Sequence, residues 1–463
     1  MPAASPYARL GLLCLLSVLG GCSTLRTSTG LVSHVVCSQT FVSGQPPAQA
    51  YAENIRPIPA IGTLSRAMHV EVDASAREVH TTLAGGFASS ARYRDGQGCS
   101  NVHGPLADEG AMAAIRSASF TPEQLPAIAG PALMQSPNPG LSTALDHAFA
   151  EPAKPPLRHT KAVVVLHGGS VIAERYAPGV TMDTPLIGWS AFKSVTNAFV
   201  GLLVEDGRLH LSDPAPVPEW APAADPRHGI TLEHLLRQTS GLNMDEGLGT
   251  LRLQFLERDM AARAATLPRR YTPGTHWAYM SGNYLLLSRI IRDQVGGNTA
   301  AVLRFAHSRL FRPLGMNQVT LEFDASGSPA YMLASARDWA RFGQLYLDDG
   351  MAGSQRLLPE GWAAFSATPT AGADGYGAGF WTNRGQGKNV EARVQAGMPR
   401  DAYYANGVLG QYVIIVPSEN LVVVRLGASE EWTDFDVKGV SRLVAEVIAA
   451  LHGERLPETA AGL

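Results

Sequence analysis

The chain of 463 residues is 45% hydrophobic and 17% charged with a net charge of −3, the balance of a globular protein holding one large domain plus extras, or two domains. A near-neutral chain without a Lys/Arg-rich run excludes nucleic acid as an expected partner. Beyond the first residues no segment is long and apolar enough to cross a membrane. No H-E-x-x-H or C-x-x-C spacing offers metal ligands, so neither metal nor cofactor is expected.

Residues 1–22 read as an export signal, with Arg9 as the one positive charge, an apolar core from Leu10 to Val18, and small residues after it. The ending Leu19-Gly20-Gly21-Cys22 resembles a bacterial lipoprotein signal, which would make Cys22 the lipidated first residue. Ser23 after it resembles the pattern for outer-membrane sorting, so the expected location is the outer membrane, facing the periplasm and held by the lipid alone. With Cys14 in the signal and Cys22 acylated, Cys37 and Cys99 remain, and an oxidising compartment predicts a disulfide between them.

Residues 23–60, rich in Ser, Thr, Gln and Pro, read as a tether. Residues 61–120 read as a small β-rich extension, with alternation in His69-Val-Glu-Val72 and turns at Gly85-Gly86 and Asp95-Gly96. The Pro-rich stretch 121–160 reads as a linker wrapping onto the main domain, 161–455. That domain opens with a strand–Gly-Gly–strand unit over Ala162–Tyr176.

A helix follows. Phe192, Val195, Phe199, Leu202 and Leu203 make one apolar stripe, and Gly207 supplies its left-handed stop. At its start Ser190 and Lys193 stand one turn apart on one face, a hydroxyl and an amine at a helix N-terminus: the elements of an activated nucleophile. A capping serine beside a solvated lysine would share this spacing. The region from about 190 to 370 reads as a helical insertion, with an N-cap at Thr231, a helix over Tyr284–Val295 and another opened by Ser335. Strands return at Tyr412–Val416 and Leu421–Leu426, and an amphipathic helix over Gly439–Leu451 closes the domain. The expected fold is α/β of the α+β type, an antiparallel sheet built from both ends of the domain and flanked by helices.

A serine–lysine pair needs a partner to take the proton, and Tyr279-x-Ser281 supplies a tyrosine and a second hydroxyl just before a helix. Ser190-x-x-Lys193, Tyr279-x-Ser281 and Gly407-Val-Leu-Gly-Gln411, in this order, resemble the serine β-lactamase and penicillin-binding superfamily. The likeness is to class C-like members, 6-aminohexanoate-dimer hydrolases and related esterases. Leu235-Leu-Arg-Gln-Thr-Ser-Gly-Leu242, Pro313-Leu-Gly-Met316 and Tyr376-Gly-Ala-Gly-Phe-Trp381 extend it over roughly residues 160–452.

The resemblance implies Ser190 as acylated nucleophile, Lys193 and Tyr279 as shared base, and Ser281 as a hydrogen-bond partner of Lys193. The N–H groups of Ser190 and Val408 become the oxyanion hole. Trp189, Trp277, Tyr376, Trp381, Asn406 and Gly407 become pocket residues. Tyr404-Ala405-Asn406 spells the class C base triplet but sits where the third motif belongs, so Tyr279 keeps the base role. That third motif carries lysine in lactamases and none here, which argues against efficient β-lactam hydrolysis. The expected activity is cleavage of a small-molecule amide or ester. A short-chain carboxylesterase, a cell-wall D-amino peptidase or amidase, and a non-catalytic peptidoglycan-binding lipoprotein are the alternatives.

Overall fold

The computed structural model describes residues 23–103, 128, 132–133, 136–244, 246–430 and 437–454. The signal segment, Cys22 and most of 104–135 lie outside the described residues. Among the described residues no helix is long and apolar enough to cross a membrane.

The stretch expected as a tether is instead a helix, α1 (residues 23–37), running on into a wider turn over Ser38–Val42. Its hydroxyls mislead because they are used inside the fold. Thr27 Oγ1 donates to the Ser23 carbonyl at 2.8 Å, and Ser33 Oγ to Thr81 Oγ1 at 2.9 Å. Thr81 belongs to an antiparallel sheet of four strands in sequential order: β1 (Met68–Asp73), β2 (Glu78–Leu83), β3 (Phe87–Arg94) and β4 (Gly98–Asn101). Cys37, at the end of α1, is disulfide-bonded to Cys99 in β4, with Cα atoms 6.0 Å apart. The β-rich extension is therefore a helix clamped on a sheet.

The linker region also contains a helix, α2 (Pro139–Phe149), whose start is capped by Asn138 Oδ1 accepting from Gly140 N–H at 2.9 Å. The main sheet starts with β5 (Thr160–His167) and β6 (Ser170–Tyr176). Next come β7 (Leu186–Ile187), α3 (Phe192–Glu205), α4 (Leu248–Phe255), α5 (Ser281–Val295), β8 (Val319–Phe323), β9 (Pro329–Ala334) and α6 (Ala336–Leu347). The segment expected to be helical thus also holds β8 and β9, which with β7 form a three-stranded sheet in the order β7-β9-β8. The chain ends with β10 (Trp381–Thr382), β11 (Tyr403–Gly407), β12 (Gln411–Val416), β13 (Leu421–Gly427) and α7 (Val437–His452). The six-stranded antiparallel sheet runs β10-β11-β12-β13-β5-β6, built from both ends of the domain.

Side chains alternate across a strand, so this sheet carries two cores. Ala162, Val164, Leu166, Val413, Ile415, Val422 and Val424 face α3, α5 and α6. Val163, Val165, Ile414, Val416 and Val423 face α2 and α7. Burial on both faces accounts for the unbroken apolar runs in β5, β12 and β13. It also splits adjacent tyrosines: Tyr403 joins the first core and Tyr404 the second.

Candidate active site

The segment Gly188–Ser190 is shaped by close approach. A Cβ on Gly188 would meet the Trp339 ring at 2.2 Å, so only glycine fits, and Gly188 N–H donates to the Met332 carbonyl of β9 at 2.9 Å. Trp189 then takes φ +48°, a left-handed backbone rare for a bulky residue. The next residue is Ser190, in the turn that leads into α3. Twelve consecutive residues of α3, Phe192 to Leu203, are buried, which makes it the central helix of the domain.

Lys193 lies one turn along, 7% exposed, with Nζ 3.0 Å from Ser190 Oγ and 3.2 Å from Ser281 Oγ. The Tyr279 ring centroid is 4.8 Å from the same Nζ and that of Tyr284 6.0 Å. Beyond Ser281 stands Glu246, on the turn before α4, which no motif had singled out. Its Oε1 accepts from Ser281 Oγ at 2.7 Å; its Oε2 accepts from Ser281 N–H at 2.9 Å and from Thr250 Oγ1 at 2.8 Å. A polar chain Ser190–Lys193–Ser281–Glu246 results, each link at hydrogen-bond distance. Glu246 is invisible to sequence reasoning because it reaches the site from a separate element, with no characteristic spacing to the serine–lysine pair.

The Leu235–Leu242 motif holds the Tyr279 loop. Gln238 Oε1 accepts from Asn283 Nδ2 at 2.6 Å and from Met280 N–H at 3.2 Å, and Ser240 Oγ donates to Asn283 Oδ1 at 2.7 Å. The Tyr376–Trp381 motif is fastened to α3: Asn197 Nδ2 donates to the Ala378 carbonyl at 2.8 Å and Ser194 Oγ to that of Gly379 at 2.5 Å. Trp381 stacks on Tyr279 with centroids 5.8 Å apart.

Burial sorts the tyrosines. Tyr284 is pushed well above the usual phenol range by burial, and its hydroxyl donates to the Leu236 carbonyl at 2.7 Å. Burial also raises Tyr376, which sits behind Tyr279. Tyr404 is pushed up to about 12 by burial on the far face of the sheet. Of the tyrosines beside Lys193, Tyr279 is the one with solvent access.

At the end of β11, a Cβ on Gly407 would meet the Gly188 carbonyl oxygen at 2.1 Å, so this glycine lets the strand press against the Gly188–Ser190 segment. The turn after it is locked by buried Gln411, whose Nε2 donates to the carbonyls of Val408 at 3.1 Å, Leu409 at 3.0 Å and Gly427 at 2.8 Å. Arg425 adds a bond to the Gly410 carbonyl at 2.7 Å.

These groups surround a cavity of about 460 Å³ lined by Trp189, Ser190, Lys193, Glu246, Tyr279, Ser281, Trp381, Asn406 and Val408, among others. Trp277, Tyr376 and Gly407, expected as pocket residues, lie outside its lining. Tyr376 is sealed behind Tyr279 and Trp381, Trp277 packs at 5.9 Å from Tyr376, and Gly407 acts through its backbone.

Residues 157–445 match the family model described as Beta-lactamase. The chain belongs to that family. Members of this β-lactamase family are typically serine hydrolases. The chain is 28% identical over 342 residues to Penicillin-binding protein 4 of Amycolatopsis lactamdurans, covering 65% of this chain and 84% of that one. It is 25% identical over 300 residues to the 6-aminohexanoate-dimer hydrolase of Paenarthrobacter ureafaciens, covering 60% and 74%. The solved penicillin-binding protein homolog from Caulobacter crescentus superposes with a TM-score of 0.53 at 17% identity, over 69% of this chain and 99% of that one, a likeness of fold. The helix-and-sheet extension at the N-terminus precedes the family match.

Proposed function

We propose that this β-lactamase-family protein is an exported serine hydrolase that cleaves a small amide or ester through an acyl-enzyme on Ser190. The observation that carries the reading is the chain Ser190–Lys193–Ser281–Glu246 opening on a cavity. Ser190 Oγ attacks the substrate carbonyl while its proton passes to the Lys193–Tyr279 pair. The new Oγ–C bond forms as negative charge gathers on the carbonyl oxygen. The N–H groups of Ser190 and Val408 receive that charge, and the Gly407 contact with Gly188 supports their convergence. Collapse expels the leaving group with the proton held by the pair. Water then gives its proton to the same pair and releases the acid, restoring Ser190. Ser281 and Glu246 act as positioning residues that hold Lys193 between the two hydroxyls.

The third-motif positions are Ala405, Asn406 and Gly407, and Asn406 Nδ2 donates to the Gln411 carbonyl at 3.1 Å. A β-lactam carboxylate finds no cation there, which favours amide or ester substrates of another kind. Export rests on the signal-like segment 1–22 and Cys22. A fluorophosphonate probe tests the nucleophile: wild type is expected to label at one site and Ser190→Ala not at all. Failure of wild type to label, or equal labelling of Ser190→Ala, overturns the proposal. Nitrophenyl esters, 6-aminohexanoate dimer and nitrocefin assayed together then rank the substrates.

A further inference from the structure

We infer that the N-terminal extension is part of the substrate site. In this assignment α1 supplies Leu31 to the wall that holds the acyl group, and that wall selects a neutral, apolar acyl chain. The inference rests on the acyl-enzyme reading above and names the substrate class for it.

Leu31 lines the same cavity as Ser190, together with Leu251, Phe255, Ala330 and Tyr331. Its placement is over-determined. A Cβ on Gly30 would meet the Phe255 carbonyl oxygen at 2.5 Å, so glycine lets α1 lie directly against the backbone of α4. Asn101 Nδ2 of β4 donates to the Gly30 carbonyl at 2.9 Å, and the Cys37–Cys99 disulfide ties the far end of α1 to the same strand. Glu322 of β8, fully buried, takes His34 Nε2 at 2.9 Å, Ser38 Oγ at 2.7 Å and Cys99 N–H at 2.8 Å. The extension therefore cannot move without opening the cavity.

Chemistry decides which half of a substrate meets this wall. The proton donor must face the leaving group, and Tyr279 clusters with Trp381 and Tyr376. Leu31, Phe255 and Tyr331 belong to a different cluster, which packs against Trp189 and Val408, the flanks of the proposed oxyanion hole. The acyl chain, on the carbonyl side away from Tyr279, falls to that cluster. The wall is uncharged: burial keeps the Tyr331 phenol protonated, and its hydroxyl has no hydrogen-bond partner among the described residues. Among the described residues Lys193 is the one cation in the lining and is already bonded to two hydroxyls, while the lining acid Glu246 would repel a carboxylate.

The test uses the full chain with two ester series, one varying the acyl length on nitrophenol and one varying the alcohol on acetate. Leu31→Trp is expected to cut kcat/KM for long acyl chains about tenfold or more while acetyl esters stay within about threefold, and Leu31→Ala to shift the preference toward longer chains. The alcohol series is expected to stay unchanged in both. Fluorophosphonate labelling reports an intact nucleophile. If Leu31→Trp no longer labels, Leu31→Ala carries the test alone. An unchanged acyl profile in labelled variants, or a change confined to the alcohol series, overturns the inference. Absence of labelling in wild type instead overturns the hydrolase reading itself.

Discussion

Glu246 and Glu322 each accept hydrogen bonds from a serine hydroxyl and a backbone N–H, and each has a basic side chain close by. Glu246 takes Ser281 Oγ and N–H, with Lys193 beyond. Glu322 takes Ser38 Oγ and Cys99 N–H, with His34 on its other oxygen. The groups are alike, but their surroundings differ. Glu246 lines a cavity, so the polar chain it ends can meet a substrate. Glu322, on β8, is sealed beneath the extension, so its bonds hold two chain regions together and nothing else can reach them. Access, rather than residue type, separates the proposed reactive network from the structural one.

Two pairs of substitutions probe that contrast. The largest effect is expected for Tyr279→Phe, a loss of about a hundredfold in kcat on a nitrophenyl ester, because a positioned base is worth that much. Tyr404→Phe, on the sealed face of the sheet, is expected to stay within about threefold. A greater loss from Tyr404→Phe would transfer the base role. Next, Glu246→Gln is expected to lower kcat by about tenfold, with little change in the urea midpoint, by loosening the hold on Ser281. Glu322→Gln should do the reverse, costing about 3 kcal/mol in urea unfolding while turnover per fluorophosphonate-titrated site stays near wild type. The same readout moving in both variants would dissolve the distinction.

The smallest effect belongs to an acid at the surface. Arg289 hydrogen-bonds Glu219 and holds its carboxyl below the usual glutamate value of 4.5. The folded value lies below the unfolded one, so the contribution is present above about pH 4.5 and is lost as pH falls through the depressed value. Glu219→Gln should flatten the acid limb of Tm against pH by about 1 °C, the scale of a pair whose acid is solvent-exposed although its arginine is buried. A shift as large as that of Glu322→Gln would show that exposure does not govern these acids.

Much of the site was legible because it is local. Ser190 and Lys193 share a helix turn, and Tyr279 and Ser281 sit two residues apart at the start of α5. The glycine at 407 marks a close approach. The Thr231 N-cap and the stop at Gly207 also stand where spacing placed them. Glu246 was missed because its turn joins the site only through folding. The helix α1 was missed because Thr27, Ser33 and Ser38 look solvated by composition while the fold buries their hydroxyls.

From its residue order alone this chain declares an α+β domain with a serine and a lysine one helix turn apart, since capping, periodicity and one-turn spacing are short-range properties. Tertiary structure alone decided the rest. It sealed Tyr404 on the far face of the sheet while leaving Tyr279 beside Lys193, and it brought Glu246 to Ser281. It also carried Leu31 from a distant helix into the cavity. Each of those depends on contacts between residues far apart in the chain, which no local pattern encodes.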